Sequence, residues 1–296
     1  MAIEQQNRYQ IRLKRHIDRM PALPVTVAKV LEICNNPATS PVDLNKVISV
    51  DPVLMGRVLK LINSAYYGLS SKITSLVRAI IMLGINTVKN LALSTAVLNN
   101  LGATEAFQAL DAQGFWRHCL GVGVTAKLLA KRRKVRTASL DEYFIAGLLH
   151  DIGKIPMNNA LSDEYVLVLS HAERERIPLY QAEREILGID HTAAGVLIGK
   201  QWRLGDEVIA AIDAHHDPES HNGQYRDLVS TVSVANYFVN LSEIGFAGDR
   251  FPERSDLSIL AELGIDLDYL DRIADDVRAE IERAAVFLRI AERAAE

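Results

Sequence analysis

Apolar positions along this chain recur at helical rather than strand spacing. Leu54, Val58, Leu61 and Ile62 fall on one helical face, and punctuation residues mark where such faces begin. Ser40-Pro41-Val42-Asp43 places a cap, a proline at the first helical position and an acid in the first turn. Asp51-Pro52 repeats the arrangement for the next helix, which Asn63-Ser64-Ala65-Tyr66-Tyr67-Gly68 stops. Ser75 is expected to cap a helix running through Leu83, and Ile85 to Leu98 forms another. Near the far end, Ile273, Val277, Ile281, Ala285 and Leu288 line one face of a single final amphipathic helix. The pattern predicts an all-α, multi-helix bundle of short helices, each burying one face against its neighbours. Residues 99–113 are mixed in character, with Gly102 and Asp111, and divide an N-terminal helical lobe (1–112) from a second helical lobe (113–296). Gly223 to Arg226 and Gly245 to Asp256 read as loops. No low-complexity segment and no fixed-period repeat is present.

Composition narrows the partners. The 296 residues are enough for one large or two ordinary domains, and 49% are apolar, so a sizeable core is available. Net charge is −4 and the pI about 6.1. That balance offers no general attraction to phosphate backbones or anionic membranes. The run Lys131, Arg132, Arg133, Lys134, Arg136 reads as a solvated helix end. Arg57, Lys60, Lys72, Arg78 and Lys89 could form a basic face on the first lobe, but net acidity and the lack of a helix-turn-helix signature argue against nucleic acid as a partner. Cys34 and Cys119 read as buried reduced thiols, which together with a polar N-terminus lacking a signal-like apolar segment suggests a cytoplasmic protein. Val77 to Leu98 is the longest apolar candidate for a membrane span, yet it contains Arg78, Asn86, Lys89 and Asn90 and reads as buried helices broken near Gly84. No sensor, kinase or receiver segment is visible, so the chain is expected to act as a stand-alone output module.

The chemistry concentrates on histidine. His150 and Asp151 stand side by side at the end of an apolar stretch, in LLHDIGKIP. A neutral imidazole beside a hard carboxylate suits Zn, Mn, Fe or Ni better than Ca. His118 follows Phe115-Trp116-Arg117 on a helix, His191 precedes a helix starting near Thr192, and His215-His216 lie at the polar end of another. A lone histidine of this kind is usually a hydrogen-bonded core or surface residue. Four such elements together match the way helix bundles build internal metal sites. His16, His171 and His221 sit in polar surroundings and read as surface residues.

The segment Phe144 to Pro156 resembles the signature of the HD superfamily of metal-dependent phosphohydrolases. The order His118, His150-Asp151, His191, His215-His216 is similar to the ligand order of its HD-GYP branch, which hydrolyses cyclic di-GMP at a two- or three-metal site. Leu23-Pro24, Asn35-Asn36-Pro37, Asp51-Pro52, Asn63 to Gly68 and Ala79-Ile80 to Leu83-Gly84 resemble the N-terminal half of the HDOD family, a divergent output domain of bacterial signalling proteins. That likeness spans roughly residues 16–220. It implies an HD-like second lobe and a divalent transition metal (Fe, Mn, Zn or Ni), in a binuclear arrangement bridged by Asp151. His118 and His150 would hold one ion, and His191, His215 and His216 the other. Lys154 would neutralise a phosphoryl oxygen, with Arg117 and Arg203 as weaker phosphate candidates. Three departures set this chain apart. Asn236 stands where the hydrolases carry a further aspartate, Gly114 stands where some sites carry an acid before the first histidine, and the Gly-Tyr-Pro motif is missing after His216. The expectation is therefore a signal-transduction module with a metal site and a signalling-protein partner. The alternative is a metal-dependent phosphohydrolase acting on a nucleotide phosphodiester.

Overall fold

The computed structural model describes residues 2–101, 107–252 and 257–292, and they contain α-helices and short 3-10 turns but no strand. The first group is α1 (Ala2–Asp18), α2 (Val25–Cys34), α3 (Pro41–Ile48), α4 (Pro52–Ile62), α5 (Leu76–Leu83) and α6 (Ile85–Leu101). The second group begins with α7 (Ala112–Arg132), α8 (Leu140–Leu149), α9 (Lys154–Ala160), α10 (Ser162–Glu175) and α11 (Leu179–Leu187). It continues with α12 (His191–Gln201), α13 (Asp206–Ala214), α14 (Arg226–Leu241), α15 (Leu257–Glu262), α16 (Leu267–Ala284) and α17 (Val286–Glu292).

Local chemistry accounts for the helix starts. Ser40 and Asp43 form a reciprocal capping box at α3. Asp51 Oδ1 accepts from Leu54 N at 2.9 Å to open α4, and Ser75 accepts from Arg78 N to open α5. Gly84, at φ 93°, ends α5, and the chain bends by 116° into α6. No single helix is long and apolar enough to cross a membrane, and only the bent pair α5 and α6 meets the length and composition criteria together, among the described residues. Most of α6 is buried, against α2, α4, α5, α8 and α17.

The second group of helices is organised around the α7–α8 pair, with α14 lying against both helices, α16 against α7 and α13 against α8. Two glycines let α7 and α8 approach backbone to backbone. A Cβ on Gly147 would lie 2.7 Å from Gly123 Cα, closer than real side-chain contacts allow. This crossing sets the position of His118 on α7 relative to His150 at the end of α8. The terminal helices cross between the two groups. α1 packs on α9, α11 and α12, where Gln10 Nε2 donates to Gly188 O at 2.8 Å, while α17 packs on α6 and α4. Part of the 99–113 boundary stretch (102–106), and part of the loop read over 245–256 (253–256), lie outside the described residues.

One expectation is corrected. The final amphipathic pattern is two helices, broken at Ala285, whose N–H donates to Glu282 O rather than continuing the α-helical ladder. The cause is tertiary. Phe287 is fully buried, with its ring 5.0 Å from that of Phe144 and 5.5 Å from that of Tyr66, and reaching them requires the chain to turn. Cys119 is buried, Cys34 is half-buried, and both are free thiols.

Candidate metal centre

Each candidate ligand is placed by a helix end or a tight crossing. Asp111 caps α7 through Gly114 N at 2.6 Å, and His118 sits further along the same helix. His150 caps the C-terminus of α8, and Asp151 begins the turn into α9. Asp190 caps α12 through Ala193 N at 2.9 Å, which makes His191 its first residue. His215 caps α13, with His216 following.

The structure brings all six residues together in two groups that share Asp151. One group is His118, His150 and Asp151, and the other is Asp151, His191, His215 and His216. Asp151 Oδ2 lies 3.4 Å from His150 Nε2 and 3.6 Å from His118 Nε2. Asp151 Oδ1 lies 3.2 Å from His191 Nε2 and 3.7 Å from His215 Nε2. His191 Nε2 in turn is 3.0 Å from His216 Nε2 and 3.4 Å from His215 Nε2. Ligands about 2.1 Å from a tetrahedral ion stand about 3.4 Å apart, which is the scale of these separations.

The hydrogen bonding fits a cation. His150 Nδ1 is 2.7 Å from Gly147 O, and His215 Nδ1 is 3.0 Å from Ile212 O, so in both rings Nδ1–H donates to a carbonyl and Nε2 keeps its lone pair. His118 Nε2, His150 Nε2 and Asp151 Oδ1 are buried without a hydrogen-bond partner. Several lone pairs converging in a dry interior are costly unless an electrophile satisfies them. The buried His/Asp cluster could therefore hold a metal ion.

Burial pushes His118 down to about 3 and lowers His150, His215 and His216 below the ordinary 6.5, so these rings are neutral, the form that ligates. Burial opposes ionisation of Asp151, but nearby positive charge outweighs it and holds the carboxyl well below the usual carboxylate range. His150 and then Lys154 contribute most to that lowering, and Lys154 Nζ donates to Asp151 Oδ2 at 2.7 Å. A sign follows for pH. Below about 6.5 the unfolded chain takes up protons on histidines that the folded chain keeps neutral, so stability falls with acid by up to about 1.4 kcal/mol per pH unit per histidine. The urea midpoint of chelator-treated protein should drop steadily from neutral pH towards pH about 5; a flat or rising midpoint would contradict neutral imidazoles.

Sequence reasoning missed Glu183. It is fully buried, its Oε1 accepts from Tyr165 OH at 2.6 Å, and its Oε2 accepts from His191 N at 2.8 Å and His191 Nδ1 at 2.6 Å. This carboxylate fixes the ring and the tautomer of His191, leaving Nε2 for a metal. The available signal was an acid on the buried stripe of α11, between Leu179 and Leu187. Glu183→Gln is expected to weaken metal binding by about 10–100-fold, read by competition with a chromophoric chelator. Unchanged affinity would reduce Glu183 to a packing residue. Tyr180 is a second missed contact, its ring stacked on His216 at 4.5 Å.

Of the other candidates, Asn236 borders the cluster and the rest lie elsewhere. Asn236 is buried within hydrogen-bonding reach of the His118 side chain, and its Oδ1 already accepts from Asn240 Nδ2 at 2.9 Å. Arg117 pairs with Glu282 at 3.4 Å, and Arg203 is exposed. His171 is half-buried against Glu185 at 2.7 Å, and His16 and His221 are also half-buried rather than fully exposed; none joins the cluster.

A family model described as the HDOD domain matches residues 20–218. The crystal structure of an HDOD domain protein of unknown function from Geobacter sulfurreducens is 27% identical, with a TM-score of 0.74 over 94% of this chain and 97% of that one. A Shewanella amazonensis protein, provisionally named a phosphohydrolase, shares the fold with a TM-score of 0.67 at 24% identity, over 96% of this chain and 98% of that one. An uncharacterised protein of Treponema pallidum is 29% identical over 223 residues, which cover 74% of this chain but only 42% of that relative. The all-helical architecture and the family match over residues 20–218 lead to one conclusion: the chain belongs to the HDOD family.

Proposed function

We propose that the chain is a regulatory module of bacterial signal transduction whose HD-like lobe is held by a divalent transition metal. One observation carries this reading: of the six candidate ligands His216 is half-buried, and His118, His150, Asp151, His191 and His215 are each no more than 1% exposed. A metal in the four-donor subsite would be enclosed by its ligands, as structural ions are, whereas hydrolysis needs an open coordination position. One further feature favours it: the Asn236 amide stands where the resembled hydrolases carry a carboxylate. Imidazoles with one carboxylate suit Zn, Fe, Mn or Ni. The His191, His215, His216 and Asp151 subsite offers four donors and would fill first, and the His118, His150 and Asp151 subsite offers three. The expected partner is a signalling protein docking on the exposed helical surface in the cytoplasm, with neither membrane nor nucleic acid involved.

The second reading is a metal-dependent phosphohydrolase acting on a nucleotide phosphodiester. The Lys154 ammonium beside the shared carboxylate favours it, because such a charge could neutralise a phosphoryl oxygen. A bound metal would supply an acidified water, and Asp151 would orient it. The test is to load the untagged protein with Zn, Mn, Fe or Ni and offer cyclic di-GMP and simple aryl phosphodiesters. Bound metal without turnover supports the regulatory module. Turnover that Asp151→Asn abolishes would replace it with the enzyme.

A further inference from the structure

Away from the histidines, a cavity of about 340 Å³ opens at the seam between the lobes. Tyr66, Tyr67, Met82 and Thr87 line it from the N-terminal lobe, and Lys127 and Asp141 from the other. At its base Lys127 Nζ donates to Asp141 Oδ1 at 2.6 Å, and Thr87 Oγ1 donates to Asp141 Oδ2 at 2.5 Å. Lys127 Nζ also lies 4.7 Å from the centre of the Tyr66 ring. The pair is largely buried, with Asp141 only 6% exposed. Stability alone does not explain a buried ion pair, since well-packed apolar residues often do as well or better. The metal centre does not use it either, because Asp141 opens α8 and His150 closes it.

The lining selects a ligand chemistry. Lys127 and Lys131 oppose Asp141 and Glu280 around the cavity, so a lone anion meets two carboxylates and a lone cation two ammonium groups. An uncharged ligand carrying an acceptor beside a donor on one edge suits both members of the Lys127–Asp141 pair, and each carboxylate oxygen retains a further lone pair. The Tyr66 and Tyr67 rings meet edge to face at 5.2 Å and 89°, with Lys127 Nζ 4.7 Å from the first centre and 5.3 Å from the second, and both rings line the cavity beside the space a planar ring would fill. Met82, 51% exposed, stands at the mouth with an adaptable side chain. The volume lies at the lower end of small-molecule sites, and such sites favour seams between domains. We propose that this cavity binds an uncharged planar heterocycle of the nucleobase kind, with its donor–acceptor edge on Asp141 and Lys127 and its ring against the tyrosines. Such a ligand would tie the Tyr66–Tyr67 turn to α7 and α8, the two helices that carry His118 and His150. The inference is independent of whether the histidine cluster is metallated.

The full chain is titrated with adenosine, guanosine, cytidine and uridine, read by saturation-transfer NMR and calorimetry. At least one nucleoside is expected to bind saturably, with and without EDTA. Tyr67→Ala and Asp141→Asn should each weaken it about tenfold or more. Met82→Arg, at an exposed position that leaves folding intact, should block the mouth and do the same, so the proposal stays testable even if Asp141→Asn does not fold. Failure of all four nucleosides to bind, or binding that survives both Met82→Arg and Tyr67→Ala, would overturn the proposal.

Discussion

Asp151→Ala is expected to empty both metal subsites at once and to cause a large loss of stability. Its two oxygens face different histidine groups, so no other single residue belongs to both. The substitution also strands Lys154, which is 2% exposed and pairs with Asp151 Oδ2 at 2.7 Å. Removing one member of a buried ion pair costs about 3–5 kcal/mol. For a chain of this size that lowers the melting temperature by roughly 6–20 °C. Two variants separate the causes. Asp151→Asn keeps the shape and an acceptor for Lys154, so it should lose metal with a smaller drop in melting temperature. Adding Lys154→Met to Asp151→Ala should recover part of the lost stability without recovering metal. Native metal affinity in both Asp151 variants would refute the shared-carboxylate assignment.

Gly153→Ala is expected to be nearly as damaging, for a reason that involves no charge. Gly153 has φ −67°, a conformation open to any residue. Its requirement is space. A Cβ there would lie 2.5 Å from Gly195 N and inside contact distance of His191 O, both backbone atoms of α12. α9 and α12 would have to separate, carrying His191 away from Asp151. A destabilisation of about 4 kcal/mol or more places it among the exceptional substitutions, and metal affinity should fall with it. Gly56→Ala is the control of opposite sign. Gly56 is exposed within α4 and a Cβ there meets nothing within 4 Å, so alanine should stabilise by about 0.5–1 kcal/mol. Urea midpoints of the two variants, measured side by side, check both signs. A mild Gly153→Ala would show that the α9–α12 contact yields easily and does not hold His191 in place.

The parts of the fold legible in the sequence are those decided within a few residues. Ser40, Asp51 and Ser75 cap the helices they precede because the accepting oxygen and the donating N–H lie three residues apart. The six cluster residues were legible because histidine beside aspartate at apolar helix ends has few other uses. What remained hidden depends on residues far apart in the chain. The break at Ala285 follows from Phe287 reaching Phe144 and Tyr66. Glu183 gains its role only once α11 folds back to bring it against His191. The crossing of α1 and α17 between the two groups of helices leaves no local mark, since their apolar stripes would suit either group. Gly153 stood in plain view beside His150-Asp151, but its use is a close approach to α12 that spacing alone does not reveal.

The central claim is that the buried histidine–aspartate cluster is a metal site. The most direct measurement is the elemental metal content of the untagged protein, as purified and after reconstitution with Zn, Mn, Fe or Ni followed by dialysis. One or two equivalents of a transition metal should be retained, and Asp151→Asn should retain none. Metal-stripped protein that stays substoichiometric after reconstitution, or Asp151→Asn that holds as much metal as the native chain, would contradict the account.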